Sequence, residues 1–187
     1  MRYVYPCKPN PLQPASAYFD EIDNDVRWIG EIKKNGIRCL PQRGKECKEI
    51  ILWTRHKTTE DNPLKPLRDA LRAQRLPPNT LLDGELLDHK ARTSKGRLFL
   101  FDIIYLNDEL LFHLPLIERR KILEAVIKEV PGLIEISKQV RLGKKHLFET
   151  LDKDEDEGIV LKRLDSDYLI SDRRCLQHPH WLKVRRK

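Results

Sequence analysis

The order of its apolar segments restricts this chain most. Short runs of strand character follow one another, and helical periodicity is inserted between them irregularly rather than in strict alternation. Arg27 to Ile32 and Ile37 to Leu40 read as strands on either side of Asn35-Gly36, a hairpin-type turn signal. Glu49 to Thr54, Thr80 to Leu87, Leu98 to Leu106, Leu133 to Ile136, Gly158 to Leu164 and Trp181 to Val184 add further strands, with a polar loop containing Gly96 before Leu98. Helical spacing marks Pro66 to Arg75, ended by Pro77-Pro78-Asn79, and Lys144 to Leu151. The clearest helix carries Leu116, Leu123, Val126 and Ile127 on one side and Glu118, Arg119, Arg120 and Lys121 on the other, and Pro131-Gly132 stops it. Pro6, Pro9, Pro11 and Pro14 make the N-terminal stretch run extended over the surface. The pattern predicts an α+β fold, not a doubly wound parallel sheet.

A length of 187 residues suits one domain, and 40% hydrophobic residues supply a core. No apolar run approaches the roughly 20 residues that span a bilayer, and the N-terminus lacks a secretory apolar stretch. The expectation is a soluble cytoplasmic protein, off the membrane and monomeric. Lys and Arg number 36 against 29 Asp and Glu, a net charge of +7 that favours a polyanionic partner. The excess gathers at the end, where Asp172 is outweighed by Arg173, Arg174, Lys183, Arg185, Arg186 and Lys187, while DKDEDE at 152–157 reverses the sign. Without a motif such a tail reads equally as a solvated surface. Cys7, Cys39, Cys47 and Cys175 form no CxxC pair and read as reduced free thiols, so structural zinc is not expected. His178-Pro179-His180 offers a pair of metal ligands or, with proline between, a surface turn; the turn is the expectation.

Three segments carry chemistry. In Glu31-Ile32-Lys33-Lys34-Asn35-Gly36-Ile37-Arg38 a lysine at a strand end precedes a glycine, which presents an amine at a rim the backbone can approach. An amine nucleophile must be neutral, and nearby cations and partial burial favour that form over the usual pKa of about 10.4. Leu82-Asp83-Gly84-Glu85-Leu86 holds carboxylates on a predicted strand. In Glu157-Gly158-Ile159-Val160-Leu161-Lys162 alternation sets Val160 and Lys162 on one face and Ile159 and Leu161 on the other. A lysine there suits phosphate, and an acid before the glycine suits magnesium. Taken singly, each is also an ordinary turn or exposed strand.

In this order, from about Trp28 to Arg185, the segments resemble the covalent nucleotidyltransferase superfamily of ATP-dependent DNA ligases, RNA ligases and mRNA capping enzymes. The family's lysine motif is similar to Lys33-Lys34-Asn35-Gly36-Ile37-Arg38 and its Ser/Thr-Arg pair to Thr54-Arg55. Its D-G-E motif is similar to Asp83-Gly84-Glu85, and its aromatic-Asp strand to Phe101-Asp102-Ile103-Ile104-Tyr105. E-G-x-V-x-K matches Glu157 to Lys162, and W-x-K-x-K matches Trp181-Leu182-Lys183-Val184-Arg185. Phe101 to Leu106 followed by Leu114-Pro115-Leu116-Ile117-Glu118-Arg119-Arg120, and Asp167-Tyr168 followed by Arg173-Arg174 and Trp181 to Val184, resemble DNA ligases in particular.

The resemblance implies a nucleotidyltransferase (ATP-grasp-like) fold of two antiparallel sheets with flanking helices around a nucleotide cleft, with 1–187 as a single adenylation domain. It implies that Lys33 attacks the α-phosphate of ATP and becomes lysyl-AMP. Glu31 and Ile32 contact the adenine edge, Phe101 stacks on its face, Arg38 and Glu85 hold the ribose, and Arg55 adds to the nucleotide site. Glu157, with Glu85, holds Mg2+ or Mn2+, and Lys162 and Lys183 neutralise the α-phosphate. Arg173, Arg174, Arg185 and Arg186 face nucleic acid: nicked DNA in preference to RNA. Asn35 stands where the family has aspartate, Arg185 where it has lysine, and the family's C-terminal oligonucleotide-binding-fold domain is expected to be absent. The expected function is an ATP-dependent DNA ligase. The competing readings are an RNA ligase or capping-type enzyme, and a degenerate, non-catalytic nucleotide- or nucleic-acid-binding module.

Overall fold

The computed structural model describes residues 3–46, 50–60, 65–87 and 96–186; Cys47, the predicted strand start at Glu49, the loop residues 88–95 and Lys187 lie outside them. The strands are β1 (Lys8–Leu12), β2 (Trp28–Lys34), β3 (Ile37–Arg43), β4 (Ile50–Thr54), β5 (Thr80–Leu87), β6 (Arg97–Leu106), β7 (Glu109–Leu110), β8 (Ile134–Ile136), β9 (Gln139–Val140), β10 (Asp156–Arg163) and β11 (Gln177–Arg185). The helices are α1 (Ala17–Asp23), α2 (Lys65–Ala73), α3 (Leu116–Val126) and α4 (Lys144–Glu149). One sheet runs β1-β11-β10-β2-β9 and the other β4-β3-β5-β6-β7, with β8 beside β6. Pairing is antiparallel except for β1 with β11 and β8 with β6. The architecture is the expected α+β one, with a parallel pair in each sheet.

The chain passes directly from one sheet to the other between β2 and β3, across Asn35-Gly36, and again between β8 and β9, across Ser137-Lys138. The hairpin expected at Asn35-Gly36 is therefore corrected, because β2 and β3 do not pair. Neither residue adopts the left-handed conformation that the favoured two-residue hairpin turn demands. Glycine is required at 36 for another reason: a Cβ there would run into the Leu86 carbonyl oxygen.

Other departures have local causes. Helix α1 is unexpected so near four prolines, but Ser16 caps it, accepting from the Phe19 N–H at 3.2 Å, and Phe19 and Ile22 are buried beneath it. The prolines of β1 are extended as expected, yet they form an edge strand, where a missing N–H is tolerated. His178-Pro179-His180 is not a turn. It lies in β11, and the register with β1 jumps from Pro9–His178 to Asn10–Leu182 to absorb it. His178 is fully buried and stacked on Trp181 with ring centres 5.0 Å apart, and burial lowers its pKa. Arg119 does not join the polar side of α3. It is fully buried and donates to both oxygens of the equally buried Asp102, at 2.8 and 3.0 Å, and to the Ser166 carbonyl.

Three buried clusters hold the sheets. One packs α2 and α3 on the β3–β6 sheet through Leu67, Leu71, Leu123, Leu98 and Ile103. A second packs α1 on the other sheet through Phe19, Ile22, Trp28, Ile159, Leu161 and Val184. The third, with Cys7, Leu40, Ile104, Tyr168 and Trp181, takes residues from both sheets and locks them together.

Candidate active site

The sheets enclose a cleft of about 460 Å³, within the usual range for small-molecule sites, and both sheet crossings open onto it through Asn35, Gly36 and Ser137. Alternation along β2 turns Glu31 and Lys33 to one side and Lys34 to the other. Lys34 pairs with Asp156 at 2.7 Å and with Glu155 at 3.4 Å. The ladder between β10 and β2 slips between Asp156 and Gly158, leaving Glu157 as an extra, unpaired residue. This bulge aims Glu157 at the cleft, where its Oε2 accepts from Lys33 Nζ at 2.5 Å and lies 3.3 Å from Arg185 Nη2. Gly158 makes the bulge possible, because a Cβ there would collide with the Val184 carbonyl of β11.

Deeper in, Lys162 and Glu31 form a buried ion pair at 2.6 Å, and Gln139 Nε2 donates to Glu31 at 2.8 Å. The Lys162 ammonium lies over the rings of Phe101 and Trp181, at 4.6 and 4.5 Å from their centres, and the Arg38 guanidinium lies 4.7 Å from that of Phe101. Arg38 donates two bonds of 2.5 Å to Asp83, which also accepts from the Tyr168 hydroxyl at 2.5 Å.

Glu85 and Lys183 are charged cleft groups with no hydrogen bond or ion pair among the described residues. Glu85, opposite Arg38 in the register of β3 and β5, has its pKa raised by burial. Lys183 has its pKa lowered by burial and then by the positive charges of Arg185, Lys33 and Lys8. At the rim Arg55 donates from Nε to His56 at 3.0 Å.

The structure thus places Glu31, Ile32, Lys33, Arg38, Arg55, Glu85, Phe101, Glu157, Lys162, Lys183 and Arg185 around one cleft. It does not place Arg173, Arg174 or Arg186 there. Arg173 and Arg174 are exposed, and Arg186 donates to the carbonyls of Leu151 and Asp152. Lys8 on β1, Gln139 on β9 and Ser137 in the crossing between β8 and β9 come to the site from segments that carry no motif. Asp83 was legible as part of the D-G-E motif, though not as the partner of Arg38 and Tyr168.

Glu157 and Glu85 both border the cleft, a pair of oxygen ligands that fits a hard divalent cation. No group of three or more His, Cys, Asp or Glu side chains suited to a metal occurs among the described residues. The remaining ligands would therefore be phosphate and water, the usual habit of magnesium.

The cation-rich cleft lies between two mainly antiparallel sheets, a fold shared with solved DNA ligase structures. A solved structure of a mycobacterial DNA ligase D complexed with ATP and MES superposes with a TM-score of 0.70 at 22% identity, covering 97% of this chain and 60% of that one. The chain belongs to the ATP-dependent DNA ligase domain family, whose model matches residues 49–185; the segment holding Lys33 precedes that match. It is 30% identical to DNA ligase 3 of Dictyostelium discoideum over 94% of its own length and 16% of the relative's. It is 29% identical to an SPbeta prophage-derived DNA ligase-like protein, LigB, of Bacillus subtilis, over 86% of its own length and 62% of the relative's. The chain thus spans less than two thirds of each. Among the described residues no helix is long and apolar enough to cross a membrane.

Proposed function

We propose that this chain, as a single adenylation domain, transfers AMP from ATP through Lys33 and serves an ATP-dependent ligase that seals nicked DNA. The observation that carries the reading is the position of Lys33 Nζ, in the cleft, 2.5 Å from Glu157 and near enough to Lys183 for the two charges to repel. The lysine nitrogen attacks the α-phosphorus, the N–P bond forms, and the bond from that phosphorus to the bridging oxygen of pyrophosphate breaks. Glu157 is the nearest acceptor for the proton that the ammonium must release. Lys183 and Arg185 meet the charge that grows on the phosphoryl oxygens, and a preorganised cation there lowers the barrier without reorganisation. Glu157 and Glu85 would hold Mg2+ or Mn2+, which supplies further neutralisation of the phosphates. Membership of the DNA ligase domain family supports a DNA end as acceptor: AMP passes to a 5′-phosphate, and a 3′-hydroxyl then displaces it to close the nick.

Incubating the protein with ATP or GTP labelled at the α-phosphate and magnesium, followed by denaturing electrophoresis, tests this. A labelled adduct is expected with ATP, lost in Lys33→Ala and kept in Lys34→Ala. An adduct that survives in Lys33→Ala overturns the assignment.

A further inference from the structure

We propose that Ser137 is a specificity-determining residue that reads the nucleobase, donating a hydrogen bond from its hydroxyl to one of the two purine ring nitrogens, N1 or N7, that flank the 6-substituent. The inference deepens the reading above, since it rests on the cleft taking ATP.

Ser137 occupies the second crossing between the sheets, and the two flanking registers define its neighbours. Leu100 pairs with Ile136 in the parallel β6–β8 ladder, which brings the following residues, Phe101 and Ser137, side by side. Glu31 pairs with Gln139 in the β2–β9 ladder, which brings Ser137 to within two residues of the strand beside Glu31. Its backbone N–H donates to the Leu100 carbonyl at 2.8 Å, so the residue is held firmly. Its side chain has no such tie. Ser137 is only 9% exposed and borders the cleft, and its hydroxyl has no hydrogen-bond partner among the described residues. A hydroxyl open to the cavity and without a protein partner is free to donate to what the cavity binds.

The surrounding chemistry says which part of the ligand. Lys33, Lys183 and Arg185 mark the end of the cleft that takes phosphate. At Ser137 the walls are instead an aromatic ring, Phe101, and a carboxylate, Glu31, whose orientation Gln139 fixes. An aromatic face, an acceptor and a hydroxyl that can donate suit a flat heterocycle bearing an amino group next to a ring nitrogen. Adenine has that edge.

Equilibrium titration calorimetry with EDTA present, so that no transfer occurs, tests this on the whole chain with ATP, 7-deaza-ATP, 1-deaza-ATP and inorganic tripolyphosphate. The wild-type chain is expected to bind ATP about three- to tenfold more tightly than one of the two deaza analogues, the span of one neutral hydrogen bond. In Ser137→Ala that preference disappears while tripolyphosphate affinity is unchanged. The proposal is overturned if Ser137→Ala keeps the wild-type preference, if it weakens tripolyphosphate as much as ATP, or if the wild type does not distinguish ATP from either analogue. A chain that shows the discrimination yet forms no covalent adduct with ATP and magnesium sinks the proposed activity and leaves the Ser137 assignment standing.

Discussion

Glu85 and Lys183 are opposite charges in one cleft, displaced in opposite directions by the same burial, and each makes a pH-dependent prediction. Glu85 is raised above the ordinary carboxylate value, so the folded state is penalised for its charge at neutral pH, and the penalty fades as pH falls through the raised value toward 4.5. Glu85→Gln should therefore raise the melting temperature at neutral pH, lose that advantage near the unperturbed value, and make adduct formation need more metal. Thermal melts from acid to neutral pH check the first part, and an advantage that grows on acidification would reverse the assigned cause. Lys183 is lowered below 10.5, so between its folded value and 10.5 the folded state binds fewer protons than the unfolded chain, and stability rises with pH across that window. A bound phosphate favours the charged amine and should reverse this. Nucleotide binding in the alkaline window should take up a proton in the wild type and not in Lys183→Met. Calorimetry in two buffers of different ionisation enthalpy reads the uptake, and buffer-independent heats in the wild type would contradict it.

Among elements, the bulge in β10 and the buried pair under α3 matter most. Gly158→Ala forces a Cβ against the Val184 carbonyl, a backbone contact that cannot swing aside. Overpacking of this kind costs about 1–3 kcal/mol, and realigning β10 would also turn Glu157 away from Lys33. Urea unfolding and the adduct assay should both register the change; normal stability with a normal adduct would show that the bulge does not need glycine. Arg119 and Asp102 are fully buried, and removing one partner leaves the other charge stranded. Arg119→Met alone should lose about 3–5 kcal/mol, and Arg119→Met combined with Asp102→Leu should recover much of it. A double variant as unstable as the sum of its singles would show that the carbonyl contacts of Arg119, not the ion pair, dominate.

At the scale of the whole molecule, the basic C-terminal stretch divides into residues with different work. It is not a uniform basic tail, because Arg186 is tied to the carbonyls of Leu151 and Asp152, whereas Arg173 and Arg174 are exposed. If the exposed pair tracks a polynucleotide backbone, Arg173→Ala and Arg174→Ala should each reduce the slope of log affinity against log salt by about one. Arg186→Ala should lower stability and leave the slope alone. Nicked-duplex binding measured across a salt series separates the two, and an unchanged slope in all three variants would remove this stretch from the DNA contact.

The sequence by itself determined the α+β class, most strand positions, and the cleft residues whose side chains alternate along a strand. Val160 and Lys162 face the cleft while Ile159 and Leu161 enter the core, because a period of two is a property of local backbone geometry. The tertiary structure decided what depends on neighbours distant in the chain. Asn35-Gly36 carries the chain between sheets instead of closing a hairpin, because β2 finds its partners in β10 and β9, more than a hundred residues away. Arg119 left the solvent face of its helix because Asp102 awaits it in the core. Ser137 and Gln139 reach the site only through the pairing of β8 with one sheet and β9 with the other, and long-range pairing leaves no mark on the short segments that receive it.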